Sequence, residues 1–137
     1  MLAAFPLLVV PVAFYNILML TISGGFTGAG AGARLSTPLV SVHMVSRAAW
    51  PVSLGDLLLA GSLLILFAEL LKSAGSRRIA ILNHSLSMAL FIICLIEFLL
   101  FPAFATSTFF LISLMVLLDV AAGFIVTLIA SRRESDF

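Results

Sequence analysis

The chain has 137 residues, of which 63% are hydrophobic and 9% charged, and its mean hydropathy is +1.30. Soluble domains are nearer half apolar and a quarter charged, so a water-soluble fold of this size would lack the charged residues that cover a surface. The composition therefore predicts an integral membrane protein. The net charge of +1 arises from scattered basic and acidic residues, which excludes a basic face for nucleic acid.

Four segments are apolar over the roughly 20 residues that a transmembrane helix needs. They predict an all-α membrane protein, a single domain over residues 1–137 that forms an up-down bundle of four transmembrane helices. The predicted helices cover residues 3–23, 54–71, 79–101 and 108–130. The outer loop, inner loop, outer turn and inner tail are then residues 24–53, 72–78, 102–107 and 131–137.

The first segment also has an alternative interpretation, a cleaved signal peptide with small residues at Ala29, Gly30 and Ala31 as the cleavage site. No Lys or Arg precedes the apolar run, and the run is longer than a usual signal sequence, so we predict a transmembrane helix. Pro6 and Pro11 are expected to bend this helix, because proline removes a backbone hydrogen bond and clashes with the preceding turn.

The basic residues predict the orientation of the helices. Cytoplasmic loops carry an excess of Lys and Arg, and both termini are therefore predicted to be cytoplasmic, in a bacterial-type inner membrane. Five basic residues fall in the inner loop and tail and two in the outer loop: Lys72, Arg77, Arg78, Arg132 and Arg133 against Arg34 and Arg47.

The outer loop divides into a glycine-rich tether, GGFTGAGAG, and a segment that reads PLVSVHMVSRAAW. In the second part His43, Ser46 and Arg47 group on one side of a helical projection, with apolar residues opposite. This grouping predicts a short helix in the outer membrane interface, with Trp50 in the aromatic belt. Valines also alternate with polar residues in the same segment, so a short extended structure is the competing prediction.

Two polar pairs are expected at the ends of the second helix. Ser53 followed three residues later by Asp56 is a capping-box pattern, which places an acid at the positive end of the helix. Glu69 and Lys72 are also three residues apart and share a face near the inner boundary. We expect them to form an interfacial ion pair, with the lysine reaching toward the headgroups.

The third helix carries its polar residues on one stripe. Unpaired polar groups are costly in hydrocarbon, so this stripe must face protein or water. It is either hydrogen-bonding glue between helices or the lining of a cavity. The stripe is a heptad seam with His84 beside it, and consists of Asn83, Ser87, Leu90, Cys94 and Glu97.

Metal and cofactor sites are not expected. Cys94 is the single cysteine, which excludes an intramolecular disulfide and a paired-cysteine metal or redox site. His84 lies inside a helix, whereas His43, the other histidine, lies in the outer loop. The two therefore cannot share one iron, and a hydrogen-bonded histidine or a proton relay is the expected role of His84.

Asp119 interrupts the apolar run LMVLLDVAAGF. It is 13 residues from Arg132, about 20 Å along a helix, which places it near the bilayer midplane and deeper than any other acid. A central Asp costs about 2.5–3.5 kcal/mol on insertion, and the surrounding apolar residues offset that cost. Its role is either a proton site or a structural hydrogen bond to one of four residues, namely Asn83, Ser87, Asn16 or Ser62.

The sequence contains no phosphate-binding loop, dinucleotide-binding, zinc-protease or nucleophile-elbow motif, so we expect no enzyme activity. The expected function is a non-enzymatic accessory, assembly or interaction subunit of a homo-oligomer or a larger membrane complex in the lipid bilayer. The alternative is an oligomeric proton-coupled transporter or channel that uses Asp119, with His84 and Glu97 along the route. A lipid-, quinone- or cofactor-binding anchor is a third possibility.

Overall fold

A computed structural model of the protein describes residues 4–73 and 77–135. Helices and one hairpin follow one another along the chain. They are α1 (Val9–Ile22), α2 (Ala31–Ser36), β1 (Pro38–His43), β2 (Ala49–Ser53), α3 (Leu54–Ser73), α4 (Arg77–Leu100) and α5 (Ser107–Ser135), with a 3-10 turn at Pro102–Phe104 between α4 and α5.

Within the described residues, three helices are long and apolar enough to cross a membrane, by length and composition. These candidate spans are Leu54–Lys72 in α3, Ala80–Leu100 in α4 and Ser107–Ile129 in α5. Helix α5 packs against both α3 and α4, so it forms the centre of the helical layer. The short turn between α4 and α5 makes them antiparallel neighbours.

Helices extend into both predicted inner connections. Helix α3 continues to Ser73 and α4 begins at Arg77, so within residues 72–78 only 74–76 lie outside the described part. Helix α5 continues through the predicted tail to Ser135, and residues 136–137 lie outside the described part. No Gly or Pro follows Gly123 to end this helix, and its last turns contain good helix formers.

The first helix is shorter than predicted. Helix α1 has 14 residues, is about 21 Å long, and begins at Val9 rather than near residue 3. The predicted bend is also wrong: Pro6 lies before the helix, and Pro11 lies in its first turn, where the backbone N–H has no partner within the helix. Helix α1 is therefore a regular apolar helix that is shorter than the roughly 30 Å bilayer core.

The predicted interfacial helix is wrong, because the segment forms an antiparallel hairpin. In the register, Val42 lies opposite Trp50 and Val40 opposite Val52, with an irregularity between Pro38 and Val40. The competing extended prediction is the correct one. Valine is stiff at its first side-chain torsion and packs well on a pleated strand, which favours the alternating pattern over the helical one.

Beyond the strand ends, Met44 and Ala48 form one more backbone pair, and the loop between them has three residues, 45–47. The Arg47 N–H donates to the Met44 carbonyl and the Met44 N–H donates to the Ala48 carbonyl, both at 2.9 Å. Arg47 has a φ of +70°, in the left-handed region. A type I turn followed by a left-handed residue is a common hairpin connection, and it normally places Gly or Asn where this chain has arginine.

The predicted glycine-rich tether runs into a short helix, α2, which the sequence analysis did not predict. Ala31 and Leu35 of α2 are buried at the predicted outer end of the bundle, where α3 and α5 begin. Gly30, just before the helix, has a φ of +86° that glycine adopts without strain. The preceding segment is also held in place, since the Phe26 carbonyl accepts a hydrogen bond from the Ala103 N–H at 3.0 Å.

Tyr15 attaches α1 to the turn between α4 and α5. Its hydroxyl donates to the Ala103 carbonyl at 2.9 Å and lies 2.7 Å from Thr106 Oγ1. The Thr106 hydroxyl oxygen also accepts the Phe109 N–H at 3.2 Å, in the first turn of α5. The tyrosine ring packs on Phe104 and Phe109, with centroids 5.2 and 4.8 Å away. One side chain therefore joins three elements at the outer end.

Tyr15→Phe should destabilise the protein by about 1 kcal/mol, because it removes the hydroxyl and leaves the buried Ala103 carbonyl without that donor. Thermal unfolding in mild detergent measures the effect. Thr21→Val is the matched control, since the exposed Thr21 hydroxyl bonds only to carbonyls of its own helix. Equal midpoints for the two variants would show that the Tyr15 hydroxyl does not hold α1.

Candidate functional site

The stripe predicted on the third helix is the face that α4 buries. Among the α4 side chains that the structure describes, the buried ones are those of the predicted heptad seam. The polar members therefore face protein and not lipid, as the cost of an unpaired polar group in hydrocarbon requires. These residues are Asn83, Ser87, Leu90, Cys94 and Glu97.

Asp119 of α5 meets this buried face of α4. Its carboxylate Oδ2 accepts a hydrogen bond from the Ser87 hydroxyl at 2.9 Å, and the residue is 4% exposed. Ser87 is thus the partner among the four that the sequence offered. Ser62 instead donates to a carbonyl of its own helix, and Asn16 donates to a carbonyl of α1 and lies beside Glu97.

Glu69 is fully buried near the C-terminal end of α3, the predicted inner end. Its Oε2 accepts the Leu7 N–H at 2.8 Å and lies 3.2 Å from Lys72 Nζ. Lys72 also donates to the Phe5 carbonyl. The predicted ion pair therefore exists, but it is directed into the protein: it binds the chain just before α1 to the inner end of α3.

Glu97 lies near the C-terminal end of α4, at the opposite end of the bundle from Glu69. It is buried beside the Asn16 side chain of α1, close enough for the two to interact electrostatically. Its Oε2 has no hydrogen-bond partner among the described residues. The chain before α1 is thus bound to Glu69 of α3, and the middle of α1 lies beside Glu97 of α4.

Further polar side chains lie near Asp119 and Ser87. Glu69, Lys72 and His84 are near enough to interact electrostatically with the Asp119 carboxyl, and Asn83 lies one helical turn before Ser87 on the buried face of α4. Within the described residues, Asn83 Nδ2, His84 Nδ1 and Glu69 Oε1 are buried without a hydrogen-bond partner. This polar cluster therefore has capacity for both donation and acceptance, and it can bind water or a proton as well as hold helices together.

His84 packs on α5 at Gly123. A Cβ at Gly123 would lie 2.8 Å from His84 Nδ1 and 3.4 Å from both its Cβ and Cγ. The space left by the missing side chain of Gly123 is thus filled by an imidazole ring. Glycine is required by space at this position, not by backbone conformation.

Ser53 and Asp56 form both hydrogen bonds of a capping box at the start of α3. The Ser53 N–H donates to Asp56 Oδ2 at 3.0 Å, and the Asp56 N–H donates to Ser53 Oγ at 3.2 Å. Because Ser53 is also the last residue of β2, the box fixes the junction between the hairpin and α3.

Sequence reasoning missed Tyr15 and the backbone groups of Phe5 and Leu7. The sequence could have identified Tyr15, since a buried phenol in an apolar segment needs a hydrogen-bond partner. The backbone partners of Glu69 and Lys72 had none, because every residue but proline offers the same N–H and carbonyl.

Over residues 4–73 and 77–135, no three His, Cys, Asp or Glu side chains come together in a way that could hold a metal ion. Comparison with protein-family models, with curated proteins and with solved structures gives no match.

Gly123→Ala should destabilise the contact between α4 and α5, because the new methyl group overlaps the imidazole close to its root. We expect a loss of about 1–3 kcal/mol in detergent unfolding. His84→Ala should restore much of this loss in the double variant, since it removes the ring that the methyl group meets.

Gly61→Ala is the matched control for the change at Gly123. Gly61 also lies within a helix, and a methyl group there meets no described atom within 4 Å. This substitution should be neutral or stabilising, because alanine is the better helix former. Similar losses at the two glycines would contradict the close packing of His84 on Gly123.

Proposed function

We propose that this protein is a small multi-pass membrane protein without catalytic activity, an accessory or assembly subunit of a homo-oligomer or a larger membrane complex. The observation that carries this proposal is how the buried acids are used. Glu69 accepts the Leu7 N–H from the chain before α1, Asp119 accepts the Ser87 hydroxyl of α4, and Glu97 lies beside Asn16 of α1. The buried acids are thus directed to groups of the same chain, whereas the exposed surface of the long helices is mainly apolar.

The outward-facing helix surfaces support placement of the whole chain in a bilayer as a four-helix bundle. Large apolar side chains such as Leu64, Phe67, Leu99 and Phe124 are exposed along the three long helices. In hydrocarbon these surfaces are lipid-facing or pack against other helices. The non-helical lead before α1 adds to the reach of that short helix.

Basic residues support an inner-membrane orientation with both termini cytoplasmic. Lys72 and Arg78 lie at the junction of α3 and α4, and Arg132 lies at the end of α5. All three are at the end of the bundle where the chain begins, since Lys72 contacts Phe5. The excess of positive charge at that end is typical of the cytoplasmic side.

A proton-coupled transporter or channel is the second candidate function. It is favoured by the polar cluster around Asp119, in which Glu69 Oε1, Asn83 Nδ2 and His84 Nδ1 have no hydrogen-bond partner in the part of the chain that the structure describes. Intramembrane acids commonly mark ion or proton routes. In this alternative Asp119 exchanges a proton with neighbouring groups.

The subunit proposal is tested by affinity purification of the full chain in mild detergent, with the mass of the complex measured by light scattering. We expect a stoichiometric complex, either with a second copy or with another membrane protein. A monodisperse monomer in several mild detergents would contradict the proposal.

Substitutions at Asp119 separate the two candidate functions. Asp119→Asn keeps the size of the side chain and an acceptor for the Ser87 hydroxyl, but it cannot titrate. A structural role predicts that Asn preserves assembly. Asp119→Leu should weaken the fold or complex by about 0.6–1.7 kcal/mol, because the Ser87 hydroxyl loses its acceptor.

Proton flux into proteoliposomes supplies the discriminating measurement. Loss of an existing flux in Asp119→Asn, with assembly intact, would support transport and contradict a purely structural role. Ser85→Ala is the matched control, since Ser85 is exposed on α4 and its hydroxyl donates to its own helix.

A further inference from the structure

The hairpin carries apolar side chains that the rest of the protein does not cover. Every residue of β1 is exposed. Val40 is 55% exposed, Val42 40% and Trp50 51%, and Val45 at the tip is fully exposed. An isolated two-stranded hairpin is marginally stable in water, and a contiguous exposed apolar surface marks a contact with something else.

These apolar side chains share one face of the hairpin. Residues opposite each other in an antiparallel pair point to the same side, so Val42 and Trp50 lie beside Val40 and Val52. Val52 is buried, which connects this face to the bundle. The opposite face is more polar, with Ser41 paired to Pro51 and His43 to Ala49.

The hairpin carries positive charge and no negative charge. From residue 37 to residue 53 the sequence contains no acid, and its charged residue is Arg47. Arg47 is exposed at the tip, with the left-handed φ of +70° that is less costly for Gly or Asn. A costly backbone conformation often marks a functional residue, which indicates that the Arg47 side chain binds another molecule.

The base of the hairpin lies at the end of a candidate membrane span. Strand β2 ends at Ser53, α3 and its span begin at Leu54, and the capping box of Ser53 and Asp56 fixes the junction. Trp50 is therefore four residues from the start of the apolar span. Tryptophan concentrates at this level of a membrane, where its ring meets both headgroups and chains.

We propose that the hairpin binds the outer phospholipid surface of its own membrane, with the face of Val40, Val42 and Trp50 toward the acyl chains and Arg47 on lipid phosphates. An apolar face beside a cation, without acids, is the chemistry of binding to anionic lipid. The lipid also supplies the cover that the hairpin lacks. This proposal rests on the membrane orientation proposed above, and it goes beyond the choice between a subunit and a transporter.

Trp50 is the single tryptophan of the chain, so its fluorescence reports on the hairpin alone. The full-length protein is reconstituted into vesicles of phosphatidylcholine and phosphatidylglycerol, with and without bromine on the upper part of the acyl chains. We expect brominated lipid to quench Trp50 strongly and aqueous acrylamide to quench it weakly. Quenching by acrylamide without quenching by brominated lipid would overturn the proposal, and would point to water or a protein partner at this face.

Two double variants test which face of the hairpin meets the lipid. Val42→Trp with Trp50→Phe keeps the probe on the apolar face, opposite its original position. Ser41→Trp with Trp50→Phe places the probe at the residue next to Val42, which lies on the opposite face of the hairpin. Brominated lipid should quench the first variant more than the second, and acrylamide should show the reverse order. Equal quenching of the two variants by either quencher would overturn the proposed orientation.

Arg47→Gly tests the contact with phosphate while preserving the turn, because glycine adopts the left-handed conformation readily. In the native chain, quenching by brominated lipid should increase as phosphatidylglycerol replaces phosphatidylcholine. This increase should be lost in Arg47→Gly. An unchanged dependence on phosphatidylglycerol in the variant would remove Arg47 from the lipid contact.

Discussion

A carboxyl group inside a bilayer has no water to solvate it, so it depends on partners from its own chain or from another. This constraint accounts for the position of α1. Glu69 of α3 accepts the Leu7 N–H, and the buried Glu97 of α4 lies beside Asn16, so both acids meet polar groups from the same short helix or the chain before it. Together with the hydrogen bonds of Tyr15, these contacts fix the position of a helix that is largely apolar on all sides.

Local spacing in the sequence was enough to predict the features that depend on a single element. The heptad spacing of the third helix identified the face that α4 buries, because helical geometry alone puts those side chains on one side. The three-residue separation of Ser53 and Asp56 identified a capping box for the same reason. The partner of Asp119 needed more than spacing, since four residues were equally plausible and only the packing of α4 on α5 selects Ser87.

The errors lie where one pattern fits two structures or where tertiary contacts decide. Between Pro38 and Trp50 the residues fit both a helical and an alternating period, and the turn that resolves them has Arg47 in place of the usual Gly or Asn. Helix α2 forms beside a glycine-rich stretch because Ala31 and Leu35 find a buried site among the outer helix ends. Residue types alone predict neither that buried site for α2 nor the backbone groups that bind Glu69.

The free-energy cost of a buried Asp119 indicates that several polar neighbours stabilise it, and not one hydrogen bond alone. Hydrogen bonds between membrane helices contribute on average about 0.6 kcal/mol, whereas a central Asp costs about 2.5–3.5 kcal/mol on insertion. The bond from Ser87 therefore does not by itself offset the cost of the acid. Lys72 and His84 interact with the same carboxyl, and Lys72 is bound in turn to Glu69 and to the Phe5 carbonyl. Through these contacts the state of the Asp119 carboxyl is coupled to the binding of the chain before α1, whether Asp119 holds the bundle together or exchanges a proton.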